Sequence, residues 1–477
     1  VSQAVQTATE DIGTAKSRRL AARVGALACL ACCVLAVGEG LFPGIGLDRF
    51  AVGFLLLYIV SEPRKVLRSQ WIMGLALIAA GIALAAMSDK VASALWQGGR
   101  GTLMFILLFA SVTLLQYPAI RSPSMQVVRI IVTNLPPGRR YLWLSLASHF
   151  LSAITNFAGF ALLASFVASS AAGELRKRMA LALSRGFVAA STWSPFFLAM
   201  AVVVSLMPTL RWVDIAAPGI VLGMLLIVFG AVCDRFGKRG DTVEEARVPV
   251  VIEGKQAAML KLAALSLILV GAVAAFDAIA HLSMSATIAI VVTVFSLGWF
   301  LILAATRTPG VPRVSWSEYG SSLVDNVGGL RGLSVLFIAA NIFGQGVSSA
   351  VDGQLLVAAA SKIGVSGVLW IPFLMFVIAA TSILGLHSVI MIVIIGHTLP
   401  PAAIGLSQQT MALLMLASWG IGGVLSPLSN LTLYAANMLG QSNWSMAWRD
   451  NGFYAFGCIV ISTVVIVGFH MMQGGAL

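Results

Sequence analysis

The sequence predicts an all-α polytopic membrane protein with about 11 transmembrane helices in two inverted repeats. Each repeat is expected to carry a re-entrant hairpin and a broken helix. Three observations lead there. The chain of 477 residues is 59% hydrophobic and only 10% charged, with a mean hydropathy of +0.96. Its longest apolar runs are interrupted by small polar residues in corresponding places of the two halves. Its basic residues cluster in short segments between apolar runs.

In chain order, the first four spans fall at 20–37, 50–60, 71–87 and 103–117. An amphipathic surface segment at 124–135 follows, with Met125, Val128, Ile131 and Val132 on one face and Arg129 opposite. The run 142–170 is flanked by basic residues at both ends, so it is expected to enter the bilayer and return. Its polar tip is Ser152-Ala153-Ile154-Thr155-Asn156. The fifth span, 186–207, is broken at Ser191-Thr192-Trp193-Ser194-Pro195, and the sixth lies at 215–233. The loop 234–261 is the longest polar stretch and separates the halves.

The second half repeats this order. Spans at 262–279, 286–305 and 333–351 precede a second surface segment at 354–363. The run 369–398 is interrupted at Thr381-Ser382-Ile383-Leu384-Gly385-Leu386-His387-Ser388. The tenth span, 409–437, is broken at Gly422-Gly423-Val424-Leu425-Ser426-Pro427-Leu428-Ser429-Asn430-Leu431-Thr432, and the eleventh is 454–471. Leu142-Trp143-Leu144 opens one hairpin and Leu369-Trp370-Ile371 the other; Ser194-Pro195 stands where Ser426-Pro427 stands. The expected units are therefore 1–101 (scaffold), 102–233 (first repeat), 234–261 (cytoplasmic loop), 262–332 (scaffold spans) and 333–477 (second repeat).

Charge orients this chain. With the N-terminus inside and both hairpins re-entrant, all of the 30 Lys and Arg lie inside except Arg49, Lys90, Arg100, Arg211 and Lys362. That places the C-terminus outside, gives the halves opposite orientation, and points to a multi-pass protein of the cytoplasmic (inner) membrane. The polar leader ending in Lys16, Arg18 and Arg19 reads as the approach to a first span, not a cleaved signal. The net charge of +12 sits in these loops, which makes a nucleic-acid partner a poor reading. Cys29 and Cys32 have CxxC spacing inside an apolar run without a His or acidic neighbour, and read as packing residues. No paired acids, His cluster or metal spacing falls at one depth, so an enzyme is not expected, nor a cofactor.

A helix broken at mid-bilayer bares N–H groups that attract anions and carbonyls that attract cations. The candidate solute and ion contacts are Ser152, Thr155, Asn156, Ser191, Thr192, Ser194 and Pro195 in the first half. In the second they are Thr381, Ser382, His387, Ser388, Ser426, Pro427, Ser429, Asn430 and Thr432. A coupling Na+ would meet Ser152, Asn156, Thr381, Ser388 or Asn430; H+ is the other candidate coupling ion. No Asp or Glu stands in either tip or break. Ser and Thr in such places also back-bond to helix carbonyls, and a lone membrane His is more often a packing residue. His149 and His387 lie within the hairpins, and His281 follows Asp277 by four residues on one helix face.

On these features, the chain over about 103–471 resembles the ion transporter superfamily. That group includes the divalent anion/sodium symporters, arsenite and sodium/proton permeases, and membrane subunits of dicarboxylate TRAP transporters. The resemblance implies an elevator-type carrier, usually a homodimer, holding a small anionic solute and cations between hairpin tips and broken helices. The Ser-Asn-Thr tip signature of the divalent anion/sodium symporters is absent: the tips offer Ser152 with Thr155-Asn156, and Thr381-Ser382 with Ser388. The expected function is secondary active transport of a small organic or inorganic anion coupled to Na+ or H+. The alternative on the same fold is a sodium/proton antiporter or arsenite-type permease.

Overall fold

The computed structural model describes residues 2–133, 140–170, 173–207, 209–237, 255–280, 282–306 and 313–475. The middle of the 234–261 loop, Arg139, His281 and Arg307 fall outside them. Every regular element among the described residues is helical. A helix satisfies its backbone within one segment, as hydrocarbon surroundings require. The first half comprises α1 (Ser2–Leu41), α2 (Leu47–Ser61), α3 (Arg68–Ala86), α4 (Val91–Arg121), α5 (Pro123–Thr133), α6 (Arg140–Thr155), α7 (Phe157–Ser170), α8 (Gly173–Ala190), α9 (Leu198–Leu206) and α10 (Val213–Phe236). The second comprises α11 (Lys255–Ala280), α12 (Met284–Ala305), α13 (Trp316–Gly329), α14 (Arg331–Ala350), α15 (Gly353–Lys362), α16 (Trp370–Ile383), α17 (Ser388–Thr398), α18 (Gln408–Leu425), α19 (Asn430–Leu439) and α20 (Gly452–Met472). A single π-helical turn, Ser445–Asp450, precedes α20.

Nine described helices are long and apolar enough to cross a membrane, or up to ten if the bent pair 353–362 and 367–383 counts as one span. About 11 spans were expected, and two of them fall short. The second lies in α2, only 15 residues long, because Glu62-Pro63 turns the chain into a short 3-10 segment. The fifth is split: α8 opens on Glu174, Arg176, Lys177 and Arg178, and the apolar α9 has 9 residues.

α1–α4 and α12–α14 form one packed frame. Its tightest seam joins α3 to α14. A Cβ on Gly81 would stand 2.8 Å from Phe343 Cα, and one on Gly346 would overlap Gly81 O. Small residues let backbones meet where no hydrophobic force between helices exists. Arg331, 1% exposed, pins the frame at the foot of α14. It pairs with Glu62 at 2.9 Å, donates to Tyr58 O at 3.1 Å and Ser61 Oγ at 3.2 Å, and lies over the Tyr58 ring.

The remaining helices carry two turn-backs. Ser145 Oγ donates to Ala182 O at 3.0 Å, Ser148 Oγ to Leu183 O at 2.7 Å, and Ser194 Oγ to Ala153 O. Residues 145–153 therefore climb beside 182–194 in the same direction, and α7 brings the chain back between them. In the second half, Ser382 and Ser388 both lie against Gly422, while Gly396 near the end of α17 lies against Leu206.

The two broken spans run antiparallel. Val188 O and Ser191 Oγ face Gly420, Ser191 Oγ donates to Leu416 O at 3.3 Å, and Thr209 Oγ1 donates to Gln408 Oε1 at 2.7 Å. The first hairpin's base meets α8 at Arg185, through Tyr141. The second hairpin's base meets the far end, at Leu206. The two turns thus approach from opposite ends of the α8–α9 segment.

Candidate functional site

Each break is held open by its own side chains. After α18, Pro427 removes a backbone donor, and its carbonyl accepts from Asn443 Nδ2 at 3.0 Å. Ser429 Oγ donates to Gly423 O at 2.5 Å and accepts the Thr432 N–H at 3.1 Å, capping α19. Thr432 Oγ1 donates to the same carbonyl at 3.2 Å. These hydroxyls rehouse groups that the helix end leaves free.

After α8, Ser191 donates to Val188 O at 2.7 Å, and Thr192 to Ala189 O at 2.8 Å and Gly219 O at 2.7 Å. Ser194 Oγ also accepts the Phe196 N–H at 3.2 Å, and Pro195 is buried beside it.

The hairpin turns differ in build. The first turns on Asn156 alone, in the left-handed region at φ 56. The second uses the four residues between α16 and α17, with Gly385 at φ 94. Thr155 back-bonds to Leu151 O at 2.8 Å, Thr381 to Ile378 O at 3.0 Å and Ser382 to Ile378 O at 2.8 Å. Ser382 and Ser388 share a hydrogen bond of 3.1 Å.

Between the turns and the breaks lies a cavity of about 150 Å³. Of the residues expected at the site, Asn156, His387, Ser429 and Asn430 line it. Thr155, Ser191, Thr192, Ser194, Thr381, Ser382, Ser388 and Thr432 direct their hydroxyls to the backbone or to each other and do not line it. Pro195 and Pro427 shape the breaks. Ser152 and Ser426 are buried with hydroxyls that find no hydrogen-bond partner among the described residues. His149, buried on α6, accepts from Trp193 Nε1 at 3.0 Å outside the cavity.

The remaining lining is mostly aromatic and aliphatic, with Thr113 and Gln116 as its polar members. Phe187, Phe197 and Trp419 come from the broken spans, and Phe109, Val112, Thr113, Gln116, Leu330 and Leu333 from the frame. Sequence reasoning missed these, although Gln116 stood out as a lone amide in an apolar run and Trp419 opens the glycine-rich Trp419-Gly420-Ile421-Gly422-Gly423.

One geometric fact organises the cavity. The helices that begin at its wall are α7, after Asn156; α9, after Phe197; α17, after His387; and α19, after Ser429. All four present N-termini, the positive end of the helix dipole. Among the described residues, none that lines the cavity carries a formal charge. Buried Arg331 and Arg185, and half-buried Lys177, make their contacts away from the cavity lining. Arg331 turns to Glu62. Arg185 turns to Tyr141 OH at 3.0 Å and Asp450 O at 3.0 Å. Lys177 meets Asp450 at 2.7 Å. Among the described residues, no group of three or more His, Cys, Asp or Glu could hold a metal ion.

Two opposed turns meeting two antiparallel broken spans at one cavity decide the comparison. The fold resembles that of known membrane transporters. The chain is similar to the Alcanivorax borkumensis YdaH transporter, with a TM-score of 0.55 and 14% identity, over 85% of this chain and 99% of that one. It is also similar to Neisseria gonorrhoeae MtrF, described with a class of antimetabolite efflux pumps, with a TM-score of 0.50 and 12% identity, over 76% and 80%. No protein-family profile and no curated protein matches the sequence. At these identities the likeness is one of fold, and the chemistry must come from the residues.

Proposed function

We propose that this protein is a non-enzymatic secondary active transporter of the elevator type that carries a small organic or inorganic anion across the cytoplasmic membrane. The observation that carries the reading is the convergence of four helix N-termini on one cavity whose lining holds no charged residue. Oriented backbone N–H groups favour an anion there without Lys or Arg.

The two turn-backs are re-entrant hairpins, and the halves are inverted repeats with the N-terminus inside and the C-terminus outside. The hairpins, α8–α10 and α18–α20 move as a unit against the frame, which also supplies a homodimer interface. Coupling is to Na+ or H+. A sodium ion would use oxygens at the carbonyl ends of α6 and α18, where Ser152 and Ser426 keep buried hydroxyls without partners. The absence of a carboxylate in the cavity weighs against the proton antiporter alternative.

The test is solute flux into vesicles containing the purified protein, with and without a sodium gradient and at several pH values. Saturable flux of a carboxylate, sulfonate or oxyanion is expected, driven by one of the gradients. The double variant Asn156→Ala/Asn430→Ala should lose that flux while remaining folded. In the same vesicles, thiol labels at Glu174→Cys and Lys362→Cys should report opposite faces. Wild-type flux in the double variant removes the site, and labels on the same face remove the inverted arrangement.

A further inference from the structure

His387 is the residue through which the second hairpin touches the cavity. Its Nδ1 accepts the backbone N–H of Val389 at 3.3 Å and so caps α17. A ring nitrogen that accepts carries no proton, so in the neutral ring the hydrogen sits on Nε2. That Nε2 has no hydrogen-bond partner among the described residues. The ring stands edge-on to Trp419, with centroids 5.6 Å apart at 74°, so its aim is fixed from two sides. Nothing charged faces it: the lining residues from α4, α7, α8, α9, α14, α18 and α19 are all neutral. An imidazole that lines a neutral cavity with one nitrogen committed to the backbone and the other unpartnered among the described residues has a donor to give.

We propose that His387 is a specificity-determining residue, donating from Nε2–H to an unprotonated oxygen of the bound anion. The cap on α17 selects that tautomer, and the ring acts in its neutral form. This rests on the transport reading above and deepens it. The preferred solute presents a bare oxyanion edge, as a carboxylate or sulfonate does. A solute whose charged centre is itself a donor, such as an ammonium, finds no acceptor in this ring.

The two ring nitrogens can be removed separately. Asn at this position places its Oδ1 where Nδ1 was and keeps the cap, but nothing reaches the place of Nε2. Gln places an amide N–H near the place of Nε2 but gives up the cap. Binding of benzoate, methanesulfonate, succinate and ethylammonium to the full-length purified protein would be measured alongside its melting temperature without solute.

The wild type is expected to bind at least one of the three anions and not ethylammonium. His387→Asn should melt within a few degrees of the wild type and bind that anion roughly tenfold to a hundredfold more weakly, the loss of one hydrogen bond to a charged group. His387→Gln should melt lower and keep affinity within about threefold. Wild-type affinity in His387→Asn, or equal loss of affinity in both variants, overturns the role of Nε2. A wild type that binds none of the anions overturns the transport reading instead, and this inference with it.

Discussion

The two hairpin tips do the same topological task with opposite materials. The first turns on one residue and is packed in rings. Phe160, 0% exposed, lies 5.4 Å from Phe157, 5.8 Å from Phe187 and 5.7 Å from Tyr434, and Phe157 also meets Tyr434 at 5.9 Å. The second turns over several residues and leaves Leu384 77% exposed and Ile383 37% exposed. Its anchorage is a pair of serine hydroxyls and the His387 cap. The first tip is thus fixed by shape and the second by a few hydrogen bonds. Fewer buried contacts mean a lower free energy for local opening, so the second tip is the more mobile of the two.

The largest effect that should expose this difference comes from the rings. Phe160→Ala is expected to destabilise the protein by about 3–5 kcal/mol, whereas Leu384→Ser should stay within about 0.5 kcal/mol. Unfolding of the purified variants measures both, and equal losses would erase the contrast.

A smaller effect comes from the glycines under each hairpin. A Cβ at Gly186 would overlap the backbone oxygen of Ser145 on α6. One at Gly422 would overlap Ser388 Oγ and stand 2.7 Å from Ser382 Oγ. Backbone cannot step aside and hydroxyls can rotate. Gly186→Ala should therefore cost about 1–3 kcal/mol and Gly422→Ala less, by the same measurement.

The smallest effect lies in the turns themselves. Gly385→Ala forces a side chain onto φ 94, at about 1–2 kcal/mol. Asn156→Gly relieves a non-glycine residue at φ 56 and should leave stability unchanged while solute flux falls. Unchanged flux in Asn156→Gly would reduce Asn156 to a turn former.

Much of this fold was legible because interruptions of apolar runs have few explanations in a membrane. Clusters of Ser and Thr, with Asn in the first turn and the second break, marked both turns and both breaks. Their role at the side-chain level was less legible. Thr155, Ser191, Thr192, Thr381 and Ser382 look like ligand oxygens in a sequence, yet each bonds to a helix carbonyl three or four residues back. Composition cannot separate a hydroxyl that mends a helix from one that faces a solute. The walls were hidden for another reason. Phe109, Phe187 and Trp419 resemble ordinary core residues, and only their tertiary arrangement shows that they border a cavity. The second span was read at 50–60, ending at Glu62-Pro63, and α2 does end there, but its 15 residues fall short of the usual crossing length.

The ion pair at the foot of α14 carries a consequence for biogenesis. Glu62 is synthesised with the earliest helices, and Arg331 arrives only after the middle of the chain has been threaded into the bilayer. In the finished frame Glu62 also meets Lys65, at 3.2 Å, while Arg331 fills the interior place beside it. A carboxylate near hydrocarbon is costly until matched. The frame therefore closes only when the second half reaches it, and a nascent chain halted before Arg331 should be recognised by quality-control proteases as unfinished.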